Sequence, residues 1–320
     1  WGDHGLSPEK SAFMIHCIIA NHYANGGFYP DGGSDTIAST VKKVIEKAGG
    51  EVRSGTPVTQ ILVENGKATG VRLESGVEIR AHWIVSNAGA RNTFLKLLPA
   101  ETPLKFRPEL ENFPPGTGFV TLFIGLKTTP ATLGLRGENY WLFAHEDHDR
   151  ILREQDELAR GQVGMAYVSF ASLKDPGTED HTAQIIAPMS WQAFAPWKDQ
   201  PAKQRDENYQ ALKKRITESL LTFTEINIPG FRALVDTAEL STPLTTHHYC
   251  SHPLGENYGL PATPARFRAR WLKPRTPIPG LILTGADAFM HGITGAMMSG
   301  VFAARAIGGM KILGQVFSKR

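Results

Sequence analysis

A chain of 320 residues, 41% hydrophobic and 20% charged, is long enough for one large or two medium domains with a substantial core. A net charge of +3 is too small to argue for nucleic acid, and no aromatic-plus-basic cluster supports that reading. No apolar run reaches bilayer-spanning length, since the longest (12–20) is interrupted by His16, and residues 1–10 lack both the basic start and the apolar core of a signal peptide. Cys17 and Cys250 stand far apart and fit buried thiols in a reducing, cytoplasmic compartment better than a disulfide framework.

In chain order, Ser7-Pro8-Glu9-Lys10 has the make-up of a helix start, with a capping serine and proline at the first helical position. It predicts a helix to Tyr23 whose apolar face carries Phe13, Met14, Cys17, Ile18 and Ile19. GGFYPDGG (26–33) leads into a second helix over 34–48, where Ile37, Val41, Val44 and Ile45 recur at helical spacing and Gly49-Gly50 is the stop. A phosphate cradle there would need a Walker-type lysine; a turn with a helix cap explains the glycines.

Short β signals at 51–53, 58–64, 68–74 and 77–80, broken by Asn65-Gly66 and Ser75-Gly76, predict a hairpin meander. Residues 83–85 read as a buried strand ending in Ser86-Asn87-Ala88-Gly89. Composition shifts near Pro99. Buried strands are predicted at 118–126 (GFVTLFIGL), 139–143, 164–170 and 183–188, with a long charged helix at 201–223, together a sheet with helices over one face. Near Thr242 the chain returns to the first domain through a proline- and glycine-rich loop, 243–279.

The closing stretch LILTGADAFMHGITGAMMSGVFAARAIGG (281–309) reads as strand, glycine-rich turn and long helix. Gly285 lets backbone pass close to a ligand, and Asp287 is a strand-end carboxylate placed to accept from ribose or ribityl hydroxyls. Gly292 and Gly295 bracket the helix start. There the N–H groups of Ile293, Thr294 and Gly295, with the positive helix end, would face a negatively polarised atom such as the N1–C2=O edge of a flavin. A closely packed helix in any α/β protein has the same look, so the local pattern leaves both readings open. Histidines cluster at His247, His248 and His252 and at His145 and His148, without the companion ligands of a tetrahedral site; no metal is expected. No G-x-S-x-G occurs, which disfavours a serine hydrolase.

Five stretches together resemble the phytoene desaturase, carotenoid isomerase and retinol saturase group of FAD-dependent oxidoreductases. They are HYANGGFYPDGGSDTIASTVKKVIEKAGGEV (22–52), VTQILVENGKATGVRLESG (58–76), IVSNAGA (84–90), STPLTTHHYCSHPLGENYG (241–259) and TPIPGLILTGADAFMHGITGAMMSG (276–300). The resemblance implies an α/β (α+β) fold. An incomplete, amine-oxidase-like FAD/NAD(P)-binding domain would span 1–100 and 241–320, and a sheet-and-helix substrate-binding domain 101–240. It implies that Val58 touches the FAD adenine through its backbone and that Ser86, Asn87 and Ala88 lie beside the cofactor. Asp287 would meet the ribityl chain, and the helix start from Gly292 through Ile293 and Thr294 to Gly295 would meet the flavin. His22, His248 and Tyr249, whose tracts the resemblance places near the pocket, are the candidates for proton delivery.

Members of the group open with a βαβ unit carrying GxGxxG, which is absent here, and the chain starts with Trp. The sequence therefore resembles the C-terminal portion of such an enzyme, expected alone to bind FAD weakly or not at all and to be inactive. The implied chemistry is hydride exchange between flavin N5 and a polyene or isoprenoid C=C bond, in desaturation, saturation or isomerisation. It brings an apolar substrate, NAD(P)H or another electron partner, and compatibility with peripheral membrane contact. An apolar substrate would account for GFVTLFIGL, Tyr140, Trp141, Trp191, Phe194 and Trp197, and an ordinary core explains them equally well.

Two other readings stay open. The flavin amine oxidase and protoporphyrinogen oxidase branch shares the closing motif, but its amine members usually pair aromatics near the flavin, a cage that Tyr249 and Phe289 do not obviously form. The other is a non-catalytic module that binds an apolar ligand or a partner chain.

Overall fold

In the computed structural model, which describes residues 2–175 and 177–318, the first long helix starts later than its capping serine suggests. Ser7 to Lys10 close a turn instead, in which the Lys10 and Ser11 N–H groups donate to the Ser7 carbonyl at 3.1 and 3.0 Å. The Glu9 N–H donates to Asp149 Oδ1 at 3.0 Å. With donors satisfied in this way, α1 spans only Phe13–His22. Its expected inward face looks outward: Phe13 is 75% exposed, Met14 and Ile18 are exposed too, and Ile15 is the buried residue. α2 (Asp35–Lys47) has nearly the expected extent, and its Val41, Val44 and Ile45 are exposed as well.

The meander forms as β1 (Val58–Glu64), β2 (Lys67–Leu73) and β3 (Glu78–Arg80), antiparallel in that order. Asn65 (φ 50°) and Gly66 (φ 74°) both take the left-handed conformation that a two-residue hairpin loop needs. Residues 51–53, expected to be extended, stay outside any strand. β4 (Ile84–Ser86), a π-helical turn at Asn92–Leu97 and α3 (Arg107–Glu111) follow.

The middle of the chain builds an antiparallel sheet from β5 (Phe119–Leu126), β6 (Tyr140–Phe143), β7 (Met165–Ser169), β8 (Thr182–Pro188) and β9 (Val235–Ser241), in the order β6-β7-β8-β5-β9. Between the strands lie α4 (His148–Arg153), α5 (Glu207–Asn227) and α6 (Phe231–Leu234). Asp206 caps α5 by accepting from the Tyr209 N–H at 3.0 Å. The strand period of two buries Val120, Leu122, Ile124 and Leu126 with Val168, Ile185 and the α5 residues Ile216 and Leu220. Strand β9 carries little apolar alternation and was not expected; it forms because its backbone completes the β5 edge, Leu240 opposite Leu122.

Phe194 belongs to that core, and Tyr140, Trp191 and Trp197 pack against it, so these aromatics are structural. On the opposite face, register places Trp141, Tyr167, Ile186 and Thr121 in one row across four strands, with Phe123 one step along. Trp141 and Phe123 are exposed there.

α7 (Pro243–Cys250) and α8 (Pro264–Arg268) lead to β10 (Leu281–Leu283), which pairs in parallel with β4, Leu281 opposite Ile84 and Leu283 opposite Ser86. α9 (Gly292–Gly308) and α10 (Met310–Ser318) close the described chain. Ile61, Phe94, Phe106, Leu110, Leu260, Leu281 and Leu283 form a second core. Ile282 packs on Ala303 and Ala306 of α9, the close approach that small residues allow.

The chain divides into two compact units. One comprises Trp1–Val52, Thr117–Cys250 and Leu254–Asn257; the other comprises Arg53–Gly116, Ser251–Pro253 and Tyr258–Arg320. Residues up to 52 thus group with the five-stranded sheet, unlike the expected 1–100 boundary. Besides the Glu9 bond, Thr117 Oγ1 donates to the Gly5 carbonyl and Gly2 lies against the Trp141 ring. Cys17 and Cys250 are free and exposed, not buried as expected. No described helix is long and apolar enough to cross a membrane.

Candidate functional site

β4 and β10 end side by side, and the Thr284 N–H donates to the Ser86 carbonyl at 2.9 Å just past the pair. Two loops leave from this point, 87–90 and 284–291. Ser86 is buried with its hydroxyl 2.7 Å from Thr93 Oγ1, whereas Asn87 and Ala88 are exposed. Gly285 has φ +86°, a left-handed conformation that demands glycine, while the Asn87 side chain that a Cβ would meet is exposed and could move aside.

Asp287 turns inward. It is 6% exposed, its Oδ2 accepts the Ala90 N–H at 2.7 Å and its Oδ1 accepts the Leu260 N–H at 2.8 Å. The carboxylate expected to face ligand hydroxyls here ties three loops together, each oxygen keeping one further acceptor position.

Beside it lies a group the sequence reading missed. Arg266 is 3% exposed and donates to the carbonyls of Leu260 and Ala286, with those of Asp287 and Phe289 at 3.4 and 3.5 Å. Its Nη1 also meets His291 Nε2, and Tyr258 stacks on the His291 ring at 5.6 Å and 11°. A guanidinium only donates, so Nε2 is the acceptor of that pair and the neutral ring carries its proton on Nδ1. Burial, then the adjacent guanidinium, push His291 down to about 4. Burial also lowers Arg266, against the pull of Asp287. Thr263-Pro264 was the available signal: it starts α8, with the Arg266 N–H donating to Thr263 Oγ1 at 3.3 Å.

His291 is the N-cap of α9, and Gly292 follows at φ +76° with open space around it. At Gly295 a Cβ would lie 2.4 Å from the Met290 carbonyl, so the first turn is glycine by necessity. First-turn N–H groups have no partner within a helix, and Ile293, Thr294 and Met297 beside them are exposed. Donors at a positive helix end, flanked by exposed Ile293, Met297 and Phe289, suit a flat apolar ring with a negatively polarised edge. The residues present therefore fit a flavin.

Other expected residues fall elsewhere. Val58 opens β1 and is partly exposed. His22, exposed at the end of α1, sets its ring against Tyr23, and the exposed His248 and Tyr249 on α7 lie edge to face at 4.6 Å. These three belong to the sheet unit, whereas Ser86, Asn87, Ala88, Gly285, Asp287 and 292–295 gather in the turn unit. His247 packs edge-on to Trp191, and His148 lies against Phe143, with burial lowering its pKa. Among the described residues no group of three or more His, Cys, Asp or Glu could hold a metal.

The chain is 33% identical over 318 residues to all-trans-retinol 13,14-reductase of Danio rerio, covering 93% of this chain and 52% of that protein. It is 27% identical to the chloroplastic prolycopene isomerase of Daucus carota, covering 94% of this chain and 47% of that one. The chain thus spans about half the length of the curated relatives it matches. An oxidoreductase from Methanosarcina mazei shares the fold at a TM-score of 0.55 and 19% identity, covering 87% of this chain and 54% of that one. The family model described as flavin containing amine oxidoreductase matches residues 5–308, so the chain belongs to that family.

Proposed function

We propose that this chain supplies the flavin-facing turn and an apolar substrate surface of an FAD-dependent oxidoreductase acting on C=C bonds of a polyene or isoprenoid. The observation that carries the reading is the glycine-shaped passage from β10 into α9, in a chain of a flavin containing family. FAD, when bound, supplies N5 as the hydride donor or acceptor. The Ile293 and Thr294 N–H groups would hold the negatively polarised edge of the ring, and Gly285 would allow the close backbone approach. Asp287 keeps the turn in place, and the backbone of Val58 serves the adenine end. Ser86, Asn87 and Ala88 form the loop beside the cofactor.

In the sheet unit, Trp141, Tyr167, Ile186 and Phe123 share one face, with Trp141 and Phe123 exposed, apolar side chains of the kind a long hydrocarbon would meet. Saturation needs a proton as well as a hydride, and His22, His248 and Tyr249 are exposed groups of the right kind. The names of the relatives, a retinol reductase and a prolycopene isomerase, support the substrate class. An apolar substrate also suits peripheral membrane contact, and NAD(P)H or another carrier would supply electrons. Since the chain spans half of its relatives, the remaining FAD contacts belong to the half it does not match.

The test is co-expression of this chain with a polypeptide covering that other half. A yellow complex that bleaches on anaerobic reduction and converts all-trans-retinol or a carotene supports the reading. A colourless complex overturns it and favours a non-catalytic apolar-ligand module.

A further inference from the structure

The turn between β10 and α9 runs through Ala286, Asp287 and Ala288, all buried or nearly so, and has no ladder to satisfy its carbonyls. Buried carbonyls without donors are costly. Arg266 answers this with one planar fork: Nη1 to Leu260 O and His291 Nε2, Nη2 to Ala286 O, and the Asp287 and Phe289 carbonyls within 3.5 Å. On its other side the same turn is pinned by Asp287 to Ala90 and Leu260. Because His291 occupies the N-cap position of α9, though its side chain makes no capping bond, the Arg266–His291 bond reaches the helix start itself. A lysine could not replace this arrangement, since an ammonium is a point charge on a flexible stem and not a fork.

We propose that Arg266 is the positioning residue for the ligand end of α9. Its guanidinium holds residues 286–291 so that the first N–H groups of the helix stay aimed at a negatively polarised ligand atom, and its buried charge adds to the helix's positive end. The ligand's identity as flavin rests on the reading above; the positioning role does not.

Three readouts separate the possibilities in wild type, Arg266→Lys and Arg266→Gln: amide hydrogen exchange, FAD affinity of the complex, and the flavin midpoint potential. Exchange over 286–296 should quicken by about tenfold in both variants while β5 and β8 amides keep wild-type protection. FAD affinity should fall by about tenfold in both, since Lys cannot rebuild the fork. The potential should fall in Arg266→Gln, because reduced flavin carries the charge that the helix end and Arg266 favour. Wild-type exchange in Arg266→Lys overturns the proposal, as does a loss of affinity with the Arg266→Gln potential unmoved, which would leave Arg266 a general structural group. If wild type takes no flavin while exchange over 286–296 still responds, the flavin reading falls and the positioning role stands.

Discussion

The two compact units each have a packed core, but they fix the geometry of their key segments by different means. The sheet unit packs large side chains: Val120, Leu122, Phe170, Ile185, Phe194, Ile216 and Phe231 share one core beneath α5. The turn unit has a parallel pair only three residues long, too short to fix its loops by ladder bonds. Beside a core of its own around Phe94, Leu110 and Leu283, it holds those loops with buried polar groups. Asp287 ties Ala90 to Leu260, Arg266 gathers the carbonyls of its turn, and Asn92 donates to Ala88 and Ser251 at 2.9 and 2.8 Å. Packing is tolerant of direction, whereas hydrogen-bonded groups fix one geometry. A scaffold is built well by the first, and a loop that must present its backbone to a ligand by the second.

If this contrast is right, the largest single loss comes from the packed core. Phe170 is fully buried between Tyr140 and Phe231, its ring meeting theirs edge-on at 6.2 and 6.0 Å. Phe170→Ala should lower unfolding free energy by about 3–5 kcal/mol in a denaturant titration, the transfer and cavity terms together. A loss below about 1 kcal/mol would mean that the core collapses around the gap and is not packed as described.

The polar unit should respond to acid. Folded His291 titrates near 4 and an unfolded histidine near its usual 6.5, so the folded state binds fewer protons between these values. Its contribution is fully present above about pH 6.5 and is lost as pH falls toward 4, at most about 3 kcal/mol by linkage. Protonating Nε2 removes the acceptor facing Arg266 and sets two cations together. Asp287 opposes the effect, and Leu260 O offers Nε2 an alternative partner at 3.1 Å. His291→Gln should flatten the slope of stability between pH 4 and 6.5 relative to wild type. Identical slopes would mean that the ring is not held as described.

Legibility in the sequence followed the same division. The apolar run GFVTLFIGL and the Asn-Gly turn report directly on burial and backbone conformation, and both β5 and the β1–β2 hairpin formed where expected. Glycines 285 and 295 were legible because only glycine fits. The role of Asp287 within its turn was not, since a strand-end carboxylate looks the same whether it faces a ligand or a backbone N–H. The role of Arg266 was not legible for a related reason: its acceptors are carbonyls, which every residue has, spread from 260 to 289, and Thr263-Pro264 marks only the helix start that carries it. β9 and the late start of α1 were decided by neighbours distant in sequence, the β5 edge and Asp149. The outward Phe13 and Val44 show that helical spacing of apolar residues marks a face without saying what covers it.

The smallest effect sharpens the comparison most. The sheet unit also contains a buried polar pair, Tyr209 Oη and Thr242 Oγ1 at 2.9 Å, with Tyr209 4% and Thr242 0% exposed. If packing carries that unit, this bond is an addition and not a brace, because the Tyr209 ring remains wedged among Phe194 and Trp197 after the hydroxyl is gone. Tyr209→Phe keeps the ring and removes one hydroxyl, and should cost about 1 kcal/mol. Amide exchange should stay unchanged on both sides of the lost bond, along α5 and β9. A local rise in exchange there, like the one expected over 286–296 on changing Arg266, would erase the distinction, since a single polar bond would then be setting backbone geometry in the packed unit too.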